Sequence, residues 1–221
     1  MKPRLLDLFC GAGGAAMGYH RAGFEVVGVD NRPQPHYPFE FEQADALTFP
    51  LAGFDAIHAS PPCPSYSVAN NVHKREHPRL IPAVREALRA TGLPFVIENV
   101  EGARKDMIEP YTLCGLSLGM DVKRHRLFET NFPLMVPPCH SKHAGDWLLV
   151  FGHTVMERRH VVRKTPAGHN TTHRKHTTVA RGRVAMGIDW MSRDELSDAI
   201  PPAYTELIGY QLLQHLRAVA A

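Results

Sequence analysis

Hydrophobic and polar positions alternate over the first hundred residues in the manner of strands joined by helices. Leu5 to Phe9 is a short apolar run and predicts a buried strand. Gly11-Ala12-Gly13-Gly14 turns the chain into a helix, Ala15 to Ala22, which Gly23 ends. Phe24 to Val29 predicts a second strand, with Asp30 at its C-terminal end. The segment Gln34 to Phe41 is rich in Pro and aromatics and reads as a loop; a third strand follows at Phe41 to Gln43, ending at Asp45. Phe54 to Ala59 predicts a fourth strand that runs directly into Ser60-Pro61-Pro62-Cys63. Leu80, Ile81, Val84, Ala87 and Leu88 recur at periods of three and four and mark a helix. Pro94 to Val100 predicts a fifth strand, ending in Glu98-Asn99-Val100. After Phe128 the pattern degrades, and residues 133–183 show little periodicity. It returns at Ser192 to Leu196 and in an amphipathic helix from about Tyr204 to Val219.

Strands alternating with helices imply a parallel sheet covered on both faces. In such sheets ligands sit beyond the C-terminal ends of the strands. Gly11, Asp30, Asp45, Cys63 and Glu98 all fall at those ends. Glycines in the first turn let the backbone approach a ligand closely. Dinucleotide-binding folds have such a turn too, and their third glycine would fall at Ala16 here. Asp30 suits a ribose diol, since a carboxylate accepts from both hydroxyls, and Asp45 suits an adenine amino group. The alternative is that both aspartates cap loops or helices.

Cys63 follows a strand directly, and Pro61 and Pro62 stiffen its approach. Most free cysteines are small buried hydrophobes. The polar residues that follow, Ser65, Tyr66 and Ser67, argue for a reactive thiol instead, as does Glu98 at the neighbouring strand end. A thiolate adds to carbon 6 of cytosine only if the charge developing on the ring is absorbed, which a carboxylic acid at N3 achieves. A nearby cation raises the thiolate fraction; the run Lys123-Arg124-His125-Arg126 is the candidate source.

Composition sharpens this picture in three ways. The four cysteines, Cys10, Cys63, Cys114 and Cys139, contain no CxxC pair, which suits a reduced, intracellular chain better than a disulfide framework. No apolar run is long enough for a membrane span, and the N-terminus lacks the apolar core of a signal peptide, so a cytoplasmic location is expected, in a bacterial or phage-infected cell. The net charge is +3, but residues 123–183 carry 12 Lys/Arg against 3 Asp/Glu, a local excess of +9. That segment reads either as a polyanion-binding surface or as a solvated basic loop.

The order Asp7-Leu8-Phe9-Cys10-Gly11-Ala12-Gly13-Gly14, Pro61-Pro62-Cys63, Glu98-Asn99-Val100 and Arg124-His125-Arg126 resembles motifs I, IV, VI and VIII of the DNA cytosine-5 methyltransferases. Ile200-Pro201-Pro202-Ala203-Tyr204 to Gly209 looks like the family's motif X. The resemblance covers roughly residues 4–128 and 195–216. It implies an α/β, Rossmann-like S-adenosylmethionine-dependent methyltransferase fold, with a mostly parallel sheet, helices on both faces and a small irregular target-recognition insert. It divides the chain into a catalytic and cofactor-binding domain (1–130), a small basic target-recognition region (131–190) and a C-terminal helix returning to the catalytic domain (191–221). It implies Cys63 as nucleophile, Glu98 as the acid at N3, and Arg124 and Arg126 as catalytic supports that bind the flipped nucleotide. Phe9, Gly11, Gly13, Gly14, Asp30, Asn31, Asp45 and Pro62 would line the S-adenosylmethionine site. Ser67, Asn99, Arg158 and Arg159 would meet the substrate, double-stranded DNA, bound by a monomer whose restriction or phage-system partner is unknown. Pro64 replaces the family's usual Gln after the nucleophile, Val122 stands where motif VIII has Gln, and Ser197-Asp198 replace Gly-Asn before motif X.

Within the variable segment, Cys139-His140-Ser141-Lys142-His143 hints at metal ligation, but no second Cys or His pair follows. These residues are therefore read as surface hydrogen-bonders on a nucleic-acid face, with no metal. Three competing readings stay open: the same chemistry on RNA or a free deoxycytidine nucleotide, a catalytically silent DNA-binding relative, and a Rossmann oxidoreductase. The last leaves Cys63 and Glu98 unexplained.

Overall fold

The computed structural model describes residues 1–62, 79–139, 143, 146–151, 154–159 and 173–220. Cys63 and Ser67 lie outside these residues. The chain runs β1 (Arg4–Leu8), α1 (Gly14–Ala22), β2 (Glu25–Asp30), β3 (Glu40–Gln43), β4 (Ala56–Ala59), α2 (Ile81–Ala90), β5 (Phe95–Asn99), β6 (Tyr111–Cys114) and β7 (His125–Thr130). Three further strands follow, β8 (Trp147–Phe151), β9 (Thr154–Arg159) and β10 (His173–His176), then α3 (Val179–Met186), α4 (Arg193–Asp198) and α5 (Pro202–Val219).

Seven strands form one sheet in the order β3-β2-β1-β4-β5-β7-β6. β3, β2, β1, β4 and β5 run parallel to one another, while β7 runs antiparallel to both β5 and β6. The central strands read as continuous apolar runs because both faces are covered. On one face Leu5, Val26 and Val96 pack with Tyr19 of α1 and with Tyr204, Ile208 and Leu212 of α5. On the other, Leu6, Leu8, Ile57 and Ile97 pack with Ile81, Val84 and Leu88 of α2. α1 and α5 touch closely because Gly18 faces Thr205 and Pro202, where any Cβ would collide. α2 is also pinned by a buried ion pair from Arg85 to Glu129 of β7.

The expectation of an irregular insert is corrected. β8, β9 and β10 form a three-stranded antiparallel sheet. It hooks onto the segment before β7 through Lys123 N–H to Leu148 O (2.9 Å) and Leu148 N–H to Asp121 O (2.7 Å). Val150 and Val155 of this sheet pack with Met186, Ile188, Met191 and Leu196 against Ala12 and Val122. α4 was foreshadowed by the pattern at Ser192 to Leu196, and its start carries a capping box between Ser192 and Glu195. Among the described residues, no helix is long and apolar enough to cross a membrane.

Candidate active site

The first turn begins with an unusual backbone. Phe9 adopts φ 58° and Gly11 φ 50°, left-handed geometry that costs a non-glycine residue energy. The Gly11 N–H donates to Asp30 Oδ2 (3.1 Å), and the Arg32 N–H donates to Asp30 Oδ1 (3.0 Å). Asp30, at the end of β2, therefore ties two turns together. A Cβ at Gly11 would meet nothing within 4 Å. That open space is what a ligand approaching the backbone requires. Gly13 and Gly14 differ: a Cβ at Gly13 would crowd Pro38 and Tyr37, and one at Gly14 would strike the Ile200 carbonyl. They are small because the protein packs against them. Asn31 and Asp45 are exposed, and Asp45 Oδ1 accepts from the Leu47 N–H (3.0 Å) in a local turn. Trp190, which the sequence reading did not single out, donates from Nε1 to the Ala12 carbonyl (2.9 Å) and so closes the turn from the C-terminal side.

The second half of the site lies where β4 and β5 end. Glu98 is 6% exposed. Burial pushes its carboxyl up, against the opposing pull of the Arg126 and Arg124 charges and a hydrogen bond from Ser60. Arg126 Nε stands 3.1 Å from Glu98 Oε1. Asn99 Nδ2 donates to the Pro61 carbonyl (2.9 Å), which fastens the end of β5 to the loop that enters Cys63. Pro61 is buried and Pro62 exposed. A partly shielded carboxyl with a raised pKa beside a guanidinium is suited to carry a proton to an acceptor and to bear the charge left behind.

Behind Glu98 runs a chain of polar side chains that sequence reading missed. Tyr19 OH lies 2.9 Å from His58 Nδ1, and His58 Nε2 lies 2.8 Å from Ser60 Oγ. Burial pulls His58 down to about 3, so the imidazole is neutral at pH 7. A neutral ring gives one acceptor and one donor. Tyr19 then donates to His58, His58 to Ser60, and Ser60 to Glu98. The visible signal was a histidine inside an otherwise apolar strand, Ala56-Ile57-His58-Ala59.

Arg124 is placed differently from Arg126. It is buried, and it donates from Nη1 to the Val150 carbonyl (2.6 Å) and from Nη2 to the Ser197 carbonyl (2.7 Å). Burial first, then the Arg126 charge, pulls its pKa down to about 9. Its guanidinium joins β7 to β8 and α4, and only its charge reaches Glu98. Arg158 and Arg159 sit on β9 of the small sheet. Cys10 is no rival nucleophile: burial and the Asp7 and Asp30 charges push its thiol far up.

The family model described as C-5 cytosine-specific DNA methylase matches residues 3–109, the span that holds the turn, the Cys63 loop and Glu98. The match covers just under half of the chain, and this stretch is similar to that family. The type II methyltransferase M.AquIA of Picosynechococcus sp. is 32% identical, over 46% of this chain and 50% of its own length. The type II methyltransferase M.FnuDI of Fusobacterium nucleatum is 28% identical, over 58% of this chain and 46% of its own. The chain thus spans about half the length of these curated relatives. The Entamoeba histolytica methyltransferase EhMeth shares the fold, with a TM-score of 0.65 at 11% identity, over 98% of this chain and 99% of its own. The C-5 cytosine-specific DNA methylase match ends before β6. Arg126 and the small sheet therefore rest on the geometry alone.

Proposed function

We propose that the protein transfers a methyl group from S-adenosylmethionine to carbon 5 of a cytosine in double-stranded DNA, through a transient bond from Cys63 to carbon 6. The observation that carries this is Glu98: buried, raised in pKa, paired with Arg126, and fastened through Asn99 to the loop that leads into Cys63. The likeness of residues 3–109 to the C-5 cytosine-specific DNA methylases, the similarity to type II methyltransferases and the basic segment 123–183 support DNA as the substrate.

The cofactor fits the first turn, where the space beyond Gly11 lies beside the ends of β1 and β2, next to Asp30. Phe9, Gly11 and Asp30 would hold it, and when bound it supplies an electrophilic methyl group. The chain's own residues do the rest. The Cys63 thiolate bonds to carbon 6, and Glu98 delivers a proton to N3 so that the ring electrons have somewhere to go. Arg126 stabilises the carboxylate that results. Carbon 5, now enamine-like, takes the methyl. Loss of the carbon 5 proton to a base expels the thiolate, and return of the N3 proton to the Glu98 carboxylate restores the neutral ring and the starting acid. Because both faces of a cytosine are stacked in a duplex, the base must leave the helix first.

Duplex DNA containing 5-fluorocytosine tests the reading, since fluorine cannot leave as a proton does. With cofactor present, the protein should form a covalent adduct that survives denaturation, and Cys63→Ser should form none. Glu98→Gln should slow methylation by roughly 10²–10⁴-fold, the span typical of a general acid. An adduct on tRNA or on the free nucleotide but not on duplex DNA would replace the substrate. No adduct on any of the three, or normal turnover by Cys63→Ser, would overturn the mechanism.

A further inference from the structure

Four side chains away from Glu98 converge at one edge of the large sheet. Cys114 ends β6 and His125 opens β7, directly opposite one another in the antiparallel register. Cys139 and His143 come from the segment between β7 and β8. Cys114 Sγ lies 3.7 Å from His143 Nε2, and Cys139 Sγ lies 3.6 Å from the same nitrogen. Cys139 Sγ is 3.3 Å from His125 Nε2, and the two imidazole nitrogens are 3.1 Å apart. All four ligand atoms lie within 4.8 Å of one another.

We infer that Cys114, His125, Cys139 and His143 form a tetrahedral zinc site. Zinc bonds of about 2.3 Å to sulfur and about 2.0–2.1 Å to nitrogen set the edges of a tetrahedron at about 3.3–3.8 Å. The four separations of 3.1–3.7 Å fall in that range within a few tenths of an ångström. Two thiols and two imidazoles are the soft and borderline donors that select zinc over oxygen-loving cations. Glu101 Oε2 lies 3.2 Å from His125 Nδ1. A carboxylate there holds the proton on Nδ1 and leaves the Nε2 lone pair facing the cluster, the usual outer support of a metal-bound histidine.

With four protein ligands the site is closed, so its work is structural. It ties the chain leaving for β8 back onto β6 and β7. His125 stands between Arg124 and Arg126, so the ion also fixes the start of β7. The pair Cys139 and His143, set aside from sequence as surface hydrogen-bonders, finds its second half in a cross-strand pair. No short spacing motif displays such a pair.

Metal analysis of the full chain, purified without chelators, tests the inference independently of methyl transfer. Elemental mass spectrometry should find about one zinc per chain. Cobalt exchanged for it should give the d–d absorption of a tetrahedral ion and a thiolate-to-cobalt charge-transfer band. Cys139→Ser and His143→Ala should each cut bound zinc to less than about a tenth of the wild-type content. If either variant fails to fold, the wild-type cobalt spectrum still decides. Wild-type protein that holds neither zinc nor cobalt would overturn the site. So would zinc retained by the folded double variant, or a Cys114–Cys139 disulfide in unreduced peptide maps.

Discussion

Asp7, His58 and Glu98 occupy one face of three adjacent strands beneath α1, and burial sets the protonation of each. Asp7 sits opposite His58 in register, and neither of its carboxylate oxygens has a hydrogen-bond partner. Burial first, then the Asp30 and Glu98 charges, raises its carboxyl well above the ordinary range. A raised folded-state pKa means that the folded chain keeps a proton that the unfolded chain releases above about pH 4. The stability attached to Asp7 is thus fully present below that pH and is lost as pH rises toward the folded value. Asp7→Asn removes this dependence. Urea unfolding of cofactor-free protein should show the variant gaining on wild type between about pH 4 and 7. Parallel stability curves would mean that Asp7 is solvated or paired in the folded state. The residues legible in sequence were those whose chemistry is local: a glycine turn, a cysteine after prolines, an acid at a strand end. The Tyr19–His58–Ser60 chain was not legible, because its first contact joins residues 39 positions apart.

Elements were readable where both faces of a strand are buried, because the apolar run then leaves no ambiguity. β1, β2, β4 and β5 fall within a residue or two of their predicted spans. β6 and β7 carry Thr112, Arg126 and Glu129 among their apolar positions, and their antiparallel pairing depends on contacts that no local pattern encodes. Trp147 to Phe151 is an apolar run that the surrounding basic and polar residues obscured. Arg124 shows how elements are joined. Resemblance gave it the same role as Arg126, yet its guanidinium donates to carbonyls on β8 and just before the end of α4. Hydrogen bonds from charged groups contribute about 1.5–3 kcal/mol each. Arg124→Ala should therefore lower unfolding free energy by a few kcal/mol, on the order of two such bonds. Arg126→Ala should lower the melting temperature less than Arg124→Ala while reducing methylation more, since Arg126 pairs with Glu98 at the reacting end. The opposite ordering in thermal denaturation would return Arg124 to the reacting end.

At the scale of the whole molecule, charge and size together bound what the protein can read. The small sheet lies inside the basic segment, and its register sets Arg158 opposite Arg174 and Arg159 opposite His173. Phosphate contacts position a duplex without reading it, whereas sequence is read by side chains at groove edges. Three short strands offer few supported positions for the second task. The target should therefore be short, on the order of two to four base pairs by this division of contacts. Affinity should fall steeply with salt, because each neutralised phosphate releases counterions. Replacing Arg158 and Arg159 together with Ala should weaken binding across all duplex sequences and flatten the slope of log K against log salt by about two. Cofactor affinity should be unchanged, since the first turn belongs to the other sheet. Fluorescence anisotropy over a salt series measures the slope, and single-base sequencing of methylated DNA reads the site. Methylation confined to six or more base pairs, or a slope untouched by the double substitution, would move recognition to other residues of the chain or to a second protein.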